Sequence, residues 1–263
     1  MQLFYSPDAT DGLFTLAPEE SRHAVRVLRL RQGDTINVTD GKGILYKCKI
    51  IEASEKACIV EAVETECSIL NSQFSIHLAV APTKNPSRME WLVEKAVEVG
   101  VGEITLLNCD HSERTFLKTD RLEKLAVSAM KQSLHTILPA INPAVTLRDW
   151  LNSQINTLTH SHIQKFIAHC EAGKPRTPLH DALKPGMDAV VLIGPEGDFS
   201  EEEIALALEC GFQPVSLGPS RLRTETAALY ATVAFNIVQN ESNGRNFPLP
   251  SQNNVNEVNL IND

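Results

Sequence analysis

Apolar and polar positions follow two different rhythms along this chain. Up to about residue 66 they alternate in short runs, at 34–39, 44–51 and 57–63, with the turn Asp40-Gly41-Lys42-Gly43 between the first two. Period-two alternation around a glycine-bearing turn predicts a small, hairpin-rich β unit. Composition shifts at 68–73, and beyond it short continuous apolar runs at 76–81, 104–107, 166–170, 189–193 and 214–217 alternate with helical patterns. Unbroken apolar strands separated by helices predict an α/β domain with a parallel sheet covered on both faces.

The helices are announced by their ends. Ser87 and Glu90 predict a helix whose Met89, Val93, Ala96 and Val97 face a core before Gly100 stops it. Asp120 with Glu123 predicts a second, with Leu122, Leu125, Ala129 and Met130 on its buried side. Ser200 and Glu203 form a capping box flanked by the staple pair Phe199 and Ile204, so a third helix starts near Glu201 and ends at Gly211. From residue 241 the chain is Asn-rich and aperiodic, which predicts a disordered tail. The expected division is 1–70, 73–240 and a tail over 241–263.

Charge changes this picture in one place. The formal net charge is −9 over 263 residues, which argues against a surface coated for nucleic acid. Residues 22–31 nevertheless place Arg22, His23, Arg26, Arg29 and Arg31 together without an acid, with Val25, Leu28 and Leu30 between them. A helix through this stretch would put Arg22, Arg26 and Arg29 on one face able to track phosphates; the alternative is a solvated face balanced by Glu19, Glu20 and Asp34. The start of the chain lacks a signal-peptide pattern and no apolar run is long enough to span a bilayer, so a cytoplasmic protein is expected. Cysteines 48, 58, 67, 109, 170 and 210 form no C-x-x-C pair, and His160 with His162 has no neighbouring acid or thiol, so no metal site is expected.

Candidate chemistry gathers at two predicted strand exits, residues 193–204 and 216–230. Each carries a Gly-Pro turn, and Arg221, Arg223 and Glu225 lie close together after the second. Strand exits are where α/β proteins bind ligands, and glycine lets backbone amides approach one closely. Two tight βα connections with solvated charges would look the same. No G-x-G-x-x-G follows a strand, and neither a P-loop nor a G-x-S-x-G elbow is present, which weakens dinucleotide, nucleotide-hydrolase and serine-hydrolase readings. Asp110, His111 and Ser112 are consecutive, and adjacency does not make a triad.

Six segments in order, RHAVRVLRLRQGD, KNPSRMEWLVEKAVEVGV, SERTF, KQSLHTILP, IGPEGDFS and LGPSRLRTETAAL, together resemble the RsmE family of 16S rRNA uracil-N3 methyltransferases, within the SPOUT class, over residues 1–240. The resemblance implies an N-terminal PUA-like β-barrel that docks RNA and a C-terminal parallel α/β domain with a trefoil knot. It implies S-adenosylmethionine as cofactor, a homodimer with the site near the subunit interface, and methylation of one uridine, uridine 1498, of the small ribosomal subunit. The cofactor would lie against Leu192, Ile193, Gly194, Pro195, Glu196 and Gly197, and against Leu217, Gly218, Leu222, Arg223 and Thr226. In the chemistry so implied, Arg223 stabilises charge on the uracil carbonyl oxygens, Glu196 or Glu225 takes the imide proton, and Arg114 holds the nucleotide or its phosphate. RNA would contact Arg22, His23, Arg26, Arg29 and Arg31. Two positions depart from the family pattern: Asp198 replaces a second glycine after Gly197, and His135 stands where Arg or Lys is common. The rival readings are an idle RNA-binding assembly factor of the same fold, and an enzyme of another class using the Gly-Pro-Glu-Gly turn for a small metabolite.

Overall fold

The computed structural model describes residues 2–67, 74–115, 117–154, 163–170 and 176–242. The N-terminal part runs β1 (Leu3–Tyr5), β2 (Leu13–Thr15), α1 (Pro18–Arg22), a π-helical turn over His23–Val27, β3 (Thr35–Thr39), β4 (Ile44–Glu52) and β5 (Ile59–Cys67). Its sheet has the order β1-β3-β4-β5-β2. Two register shifts between β4 and β5 bend it into a curled half-barrel around Phe4, Leu16, Ala24, Val38, Cys48, Ile50 and Val60. The hairpin at residues 40–43 forms as its sequence predicts, whereas β1 and β2, three residues each, gave no periodic signal.

The basic strip corrects the expectation of a single helical face. Leu28 N–H bonds to the carbonyl of His23 and ends the π-helical turn, and Arg29 follows with φ +58°. Arg29 therefore lies past the helix rather than one turn along from Arg26. Val25, Leu28 and Leu30 pack on the half-barrel core while Arg22, Arg26, Arg29 and Arg31 are exposed.

The C-terminal part runs β6 (Ile76–Val80), α2 (Pro86–Val99), β7 (Glu103–Asn108), α3 (Thr119–Ser133), β8 (Ala140–Thr146), α4 (Leu147–Gln154), β9 (Ile163–Ala168), β10 (Thr177–Pro178), α5 (Leu179–Ala182), β11 (Asp188–Ile193), α6 (Glu201–Glu209), β12 (Gln213–Ser216) and α7 (Thr224–Ser242). Seven strands pair in the order β10-β12-β9-β11-β6-β7-β8, each pair parallel. Side chains of β11 alternate between two layers: Ala189, Val191 and Ile193 join the core under α2, α3 and α7, and Val190 and Leu192 join the one under α4 and α6. Burial on both faces is why the strand reads as an unbroken apolar run.

Helix ends match the sequence at some sites and correct it at others. The Ser200–Glu203 capping box forms in both directions, Phe199 and Ile204 share one core, and Gly100 and Gly211 take φ +99° and +83° at their helix ends. In α2, however, Asn85 is the cap, accepting the Ser87 N–H at 3.0 Å ahead of Pro86, and Ser87 is already inside the helix. In α3 the cap position is Lys118, with no side-chain bond, and Asp120 sits in the first turn.

The two parts interlock through the hairpin of residues 40–43. Thr39 Oγ1 donates to the Thr136 carbonyl at 3.0 Å, Gly43 N–H to the same oxygen, and Leu138 N–H to the Gly41 carbonyl. Lys131 of α3 pairs with Glu20 of α1. No helix among the described residues is long and apolar enough to cross a membrane. The expected tail over 241–263 starts two residues too early, since α7 runs on to Ser242; the rest of it, and His160 with His162, lie outside the described residues.

Candidate active site

Strand order in the second sheet brings the C-terminal ends of β9, β11 and β12 together, and a cleft of about 770 Å³ opens there. This volume lies in the range of small-molecule sites, which is roughly 300–1,000 Å³. From the β11 exit it is lined by Ile193, Gly194, Pro195, Glu196 and Asp198, and from the β12 exit by residues 215–224, Leu217, Gly218, Leu222 and Arg223 among them. Gly218 has φ +114°, a conformation that favours glycine.

Three of the residues predicted to hold a cofactor do not line this cleft. Leu192 points its side chain into the α4/α6 layer because alternation along β11 requires it. A Cβ on Gly197 would come 2.9 Å from His111 Cβ, so that glycine admits the loop after β7. Thr226 opens onto a neighbouring recess instead. Sequence reading missed the third wall, Ala168, His169 and Cys170 at the β9 exit together with Arg176. The apolar run at 166–170 was visible, but only the strand order shows that it adjoins β11 and β12.

The loops are tied to one another by polar contacts. Asp198 takes φ +67° where a glycine was expected, and its carboxylate accepts Cys170 N–H at 2.7 Å and Phe199 N–H at 2.9 Å. Thr224 Oγ1 donates to the Gly194 carbonyl at 3.1 Å, joining the start of α7 to the first turn. Lys84 gathers three partners: its N–H donates to Glu196 Oε1 at 3.1 Å, its carbonyl accepts both Nε and Nη2 of Arg114, and its ammonium pairs with Glu113 at 2.7 Å. The Glu113 carboxylate raises the Lys84 pKa. Asp110, His111 and Ser112 brace this assembly rather than forming a triad. Ser200 Oγ donates to Asp110 Oδ2 at 2.6 Å, His111 Nδ1 lies 3.1 Å from the Asp198 carbonyl, and Ser112 Oγ accepts the Cys109 N–H.

Beside the cleft, between α2 and α7, lies a smaller recess of about 340 Å³ lined by Ser87, Arg88, Trp91, Arg223, Glu225 and Thr226. Arg223 is exposed and borders both cavities. Glu225 is 7% exposed; its Oε1 stands 3.7 Å from Arg88 Nε, and its Oε2 has no hydrogen-bond partner among the described residues. Arg114, by contrast, is anchored to the Lys84 backbone, and His135 Nε2 lies 3.1 Å from the Glu98 carbonyl at the end of α2. Among the described residues no group of three His, Cys, Asp or Glu side chains could hold a metal ion.

A curled PUA-like sheet joined to a parallel α/β domain, with a cleft at the ends of its central strands, is the architecture of SPOUT-class RNA methyltransferases. Residues 70–236 match the family model of the RNA methyltransferase domain, and residues 16–63 that of the RNA methyltransferase PUA domain. The chain belongs to this family, and within it to the RsmE group. It is 29% identical over 240 residues to ribosomal RNA small subunit methyltransferase E of Buchnera aphidicola, covering 89% of this chain and 91% of the relative. Its fold matches the crystal structure of a probable rRNA-methyltransferase from Porphyromonas gingivalis with a TM-score of 0.84 and 40% identity, over 92% of this chain and 100% of that one. It also matches a ribosomal RNA small subunit methyltransferase E from Neisseria gonorrhoeae bound to S-adenosyl methionine, with a TM-score of 0.76 and 28% identity, over 91% and 98% of the two chains.

Proposed function

We propose that this protein transfers a methyl group from S-adenosylmethionine to N3 of one uridine, uridine 1498, in 16S rRNA of the small ribosomal subunit. The observation that carries the reading is the junction of the two cavities at Arg223, a three-walled cleft of cofactor size on one side and a recess holding a buried carboxylate on the other. The cleft suits the cofactor: Gly194 and Gly218 give backbone access, and Asp198 and Thr224 fix the loops that would surround it. When bound, S-adenosylmethionine supplies a methyl group already activated on a sulfonium.

The chain's own residues then have to align the uracil, exclude water and receive a proton. Arg223, which borders both cavities, would stabilise charge developing on a uracil carbonyl oxygen. Of the two candidate bases, Glu225 keeps an oxygen without a hydrogen-bond partner among the described residues, whereas Glu196 is exposed and already accepts Lys84 N–H. That contrast favours Glu225. Arg22, His23, Arg26, Arg29 and Arg31 would hold RNA phosphates, and Arg114, anchored on the Lys84 carbonyl, would hold the nucleotide or its phosphate. The same reading includes knotted C-terminal loops, a homodimer, a cytoplasmic setting and domains divided near 70–73.

Incubating the protein with radiolabelled S-adenosylmethionine and small subunits lacking the modification, then identifying the labelled nucleoside by mass spectrometry, tests it. The expected product is N3-methyluridine at a single position. Cofactor binding without RNA labelling would overturn the substrate assignment, and absence of cofactor binding would leave an RNA-binding assembly factor.

A further inference from the structure

We propose that the recess between α2 and α7 is the pocket for the target base, and that it selects uracil over cytosine by the hydrogen-bonding pattern of its edge; this rests on the RNA-methylating reading above. A flat base needs a stacking surface and partners along its edge. Trp91 is 42% exposed at the recess wall and offers a flat aromatic face on which a base can stack.

The edge partners are Arg88, Glu225 and Arg223. A carboxylate that is 7% exposed with an oxygen lacking a partner among the described residues is costly, and a donor from a ligand would satisfy it. Arg88 sits in the first turn of α2, where the helix dipole disfavours a cation, so its own helix does not explain its place. Two guanidinium groups and a carboxylate lining one recess supply the donors and the acceptor that the acceptor–donor–acceptor edge of uracil, O2, N3–H and O4, requires. Cytosine has a lone pair at N3 and an amino group beside it, so its edge would set acceptor against carboxylate and donor against guanidinium. Arg88 and Trp91 are thus base-contacting residues of the reaction, and Arg223 links this pocket to the cofactor cleft.

The test uses the full-length protein and two readouts. Wild-type labelling of unmodified subunits first establishes the reaction; if it fails, the functional reading fails and not only the pocket. With that in hand, Trp91→Ala and Arg88→Ala should each lower kcat/KM for subunits roughly tenfold or more, with affinity for S-adenosylmethionine unchanged by calorimetry, and Trp91→Phe should keep most activity. Separately, uridine 5′-monophosphate should quench tryptophan fluorescence more than cytidine 5′-monophosphate. That signal should vanish in Trp91→Phe, since Trp150, the other tryptophan, is 4% exposed. Full activity of Trp91→Ala would overturn the proposal even if Arg88→Ala misfolds. So would a loss of activity in Trp91→Ala that tracks dissociation of a dimer in sedimentation, which would assign the recess to a second copy of the chain.

Discussion

The carboxylate of Asp198 accepts the backbone N–H of Cys170 at 2.7 Å and so joins the exit of β9 to the turn that follows β11. Asp198 does this from φ +67°, where a side chain costs roughly 1–2 kcal/mol unless, as here, it bonds locally. Asp198→Ala keeps the backbone strain and loses both bonds, and should destabilise the fold by about 1–3 kcal/mol. Asp198→Gly relieves the strain without restoring the bridge. Thermal denaturation should therefore rank Gly above Ala, while calorimetry with S-adenosylmethionine should find both weakened.

Cysteine reactivity should report on the cleft. Burial pushes the Cys48 thiol up to about 12 and raises those of Cys58 and Cys109, whereas Cys170 is exposed and lines the cleft. Brief alkylation of the native protein, mapped by peptide mass spectrometry, should label Cys170 and spare Cys48, Cys58 and Cys109. Saturating S-adenosylmethionine should slow the labelling of Cys170; an unchanged rate would place the cofactor elsewhere.

Stability should fall on the acid side of neutrality partly through His77. Burial lowers its pKa from 6.5, with Glu103 at 3.5 Å opposing the shift, and the ring also meets Thr105 Oγ1 at 2.8 Å and the edge of Trp150. As the pH drops below 6.5 the unfolded chain takes up the proton before the folded one does, so stability is lost through that window down to the lowered folded value. Denaturant titrations of His77→Gln should show a shallower loss over the same window.

Binding to small subunits should depend on salt through the exposed arginines. Among the described residues none of Arg22, Arg26, Arg29 or Arg31 forms an ion pair with Glu19, Glu20 or Asp34; Glu20 is taken by Lys131, and Asp34 accepts the Arg31 N–H. Arg26→Ala should weaken RNA binding and reduce the slope of log K against log salt by about 1. Affinity for S-adenosylmethionine should not move.

Where a local rule decides structure, this sequence was readable. The Ser200–Glu203 box, the glycine stops at 100 and 211 and the buried run of β11 need only neighbours within a few residues. Asn-Pro-Ser offers two candidate caps, Asn85 and Ser87, and only Pro86 at the first helical position separates them. Strand β8 gives no strand signal in the sequence because Pro143 interrupts it; it lies at the sheet edge, where a proline is tolerated. Nothing in Val27-Leu28-Arg29 marks a helix stop, so the basic strip reads as one helix in the sequence. The β9 wall of the cleft and the pairing of Arg88 with Glu225 depend on contacts between distant segments, and no periodicity encodes those.

The hairpin docked on Thr136 and Leu138 turns the molecule into a gauge. With Thr39, Gly41 and Gly43 bonded across the junction and Lys131 clasping Glu20, the offset between the arginine strip and the cleft is set by the fold and not by a tether. On the proposed function, an RNA held at the strip would present to the cleft only a nucleotide lying at that one span. A uridine of identical chemistry a few steps along the same strand would simply fall short of it.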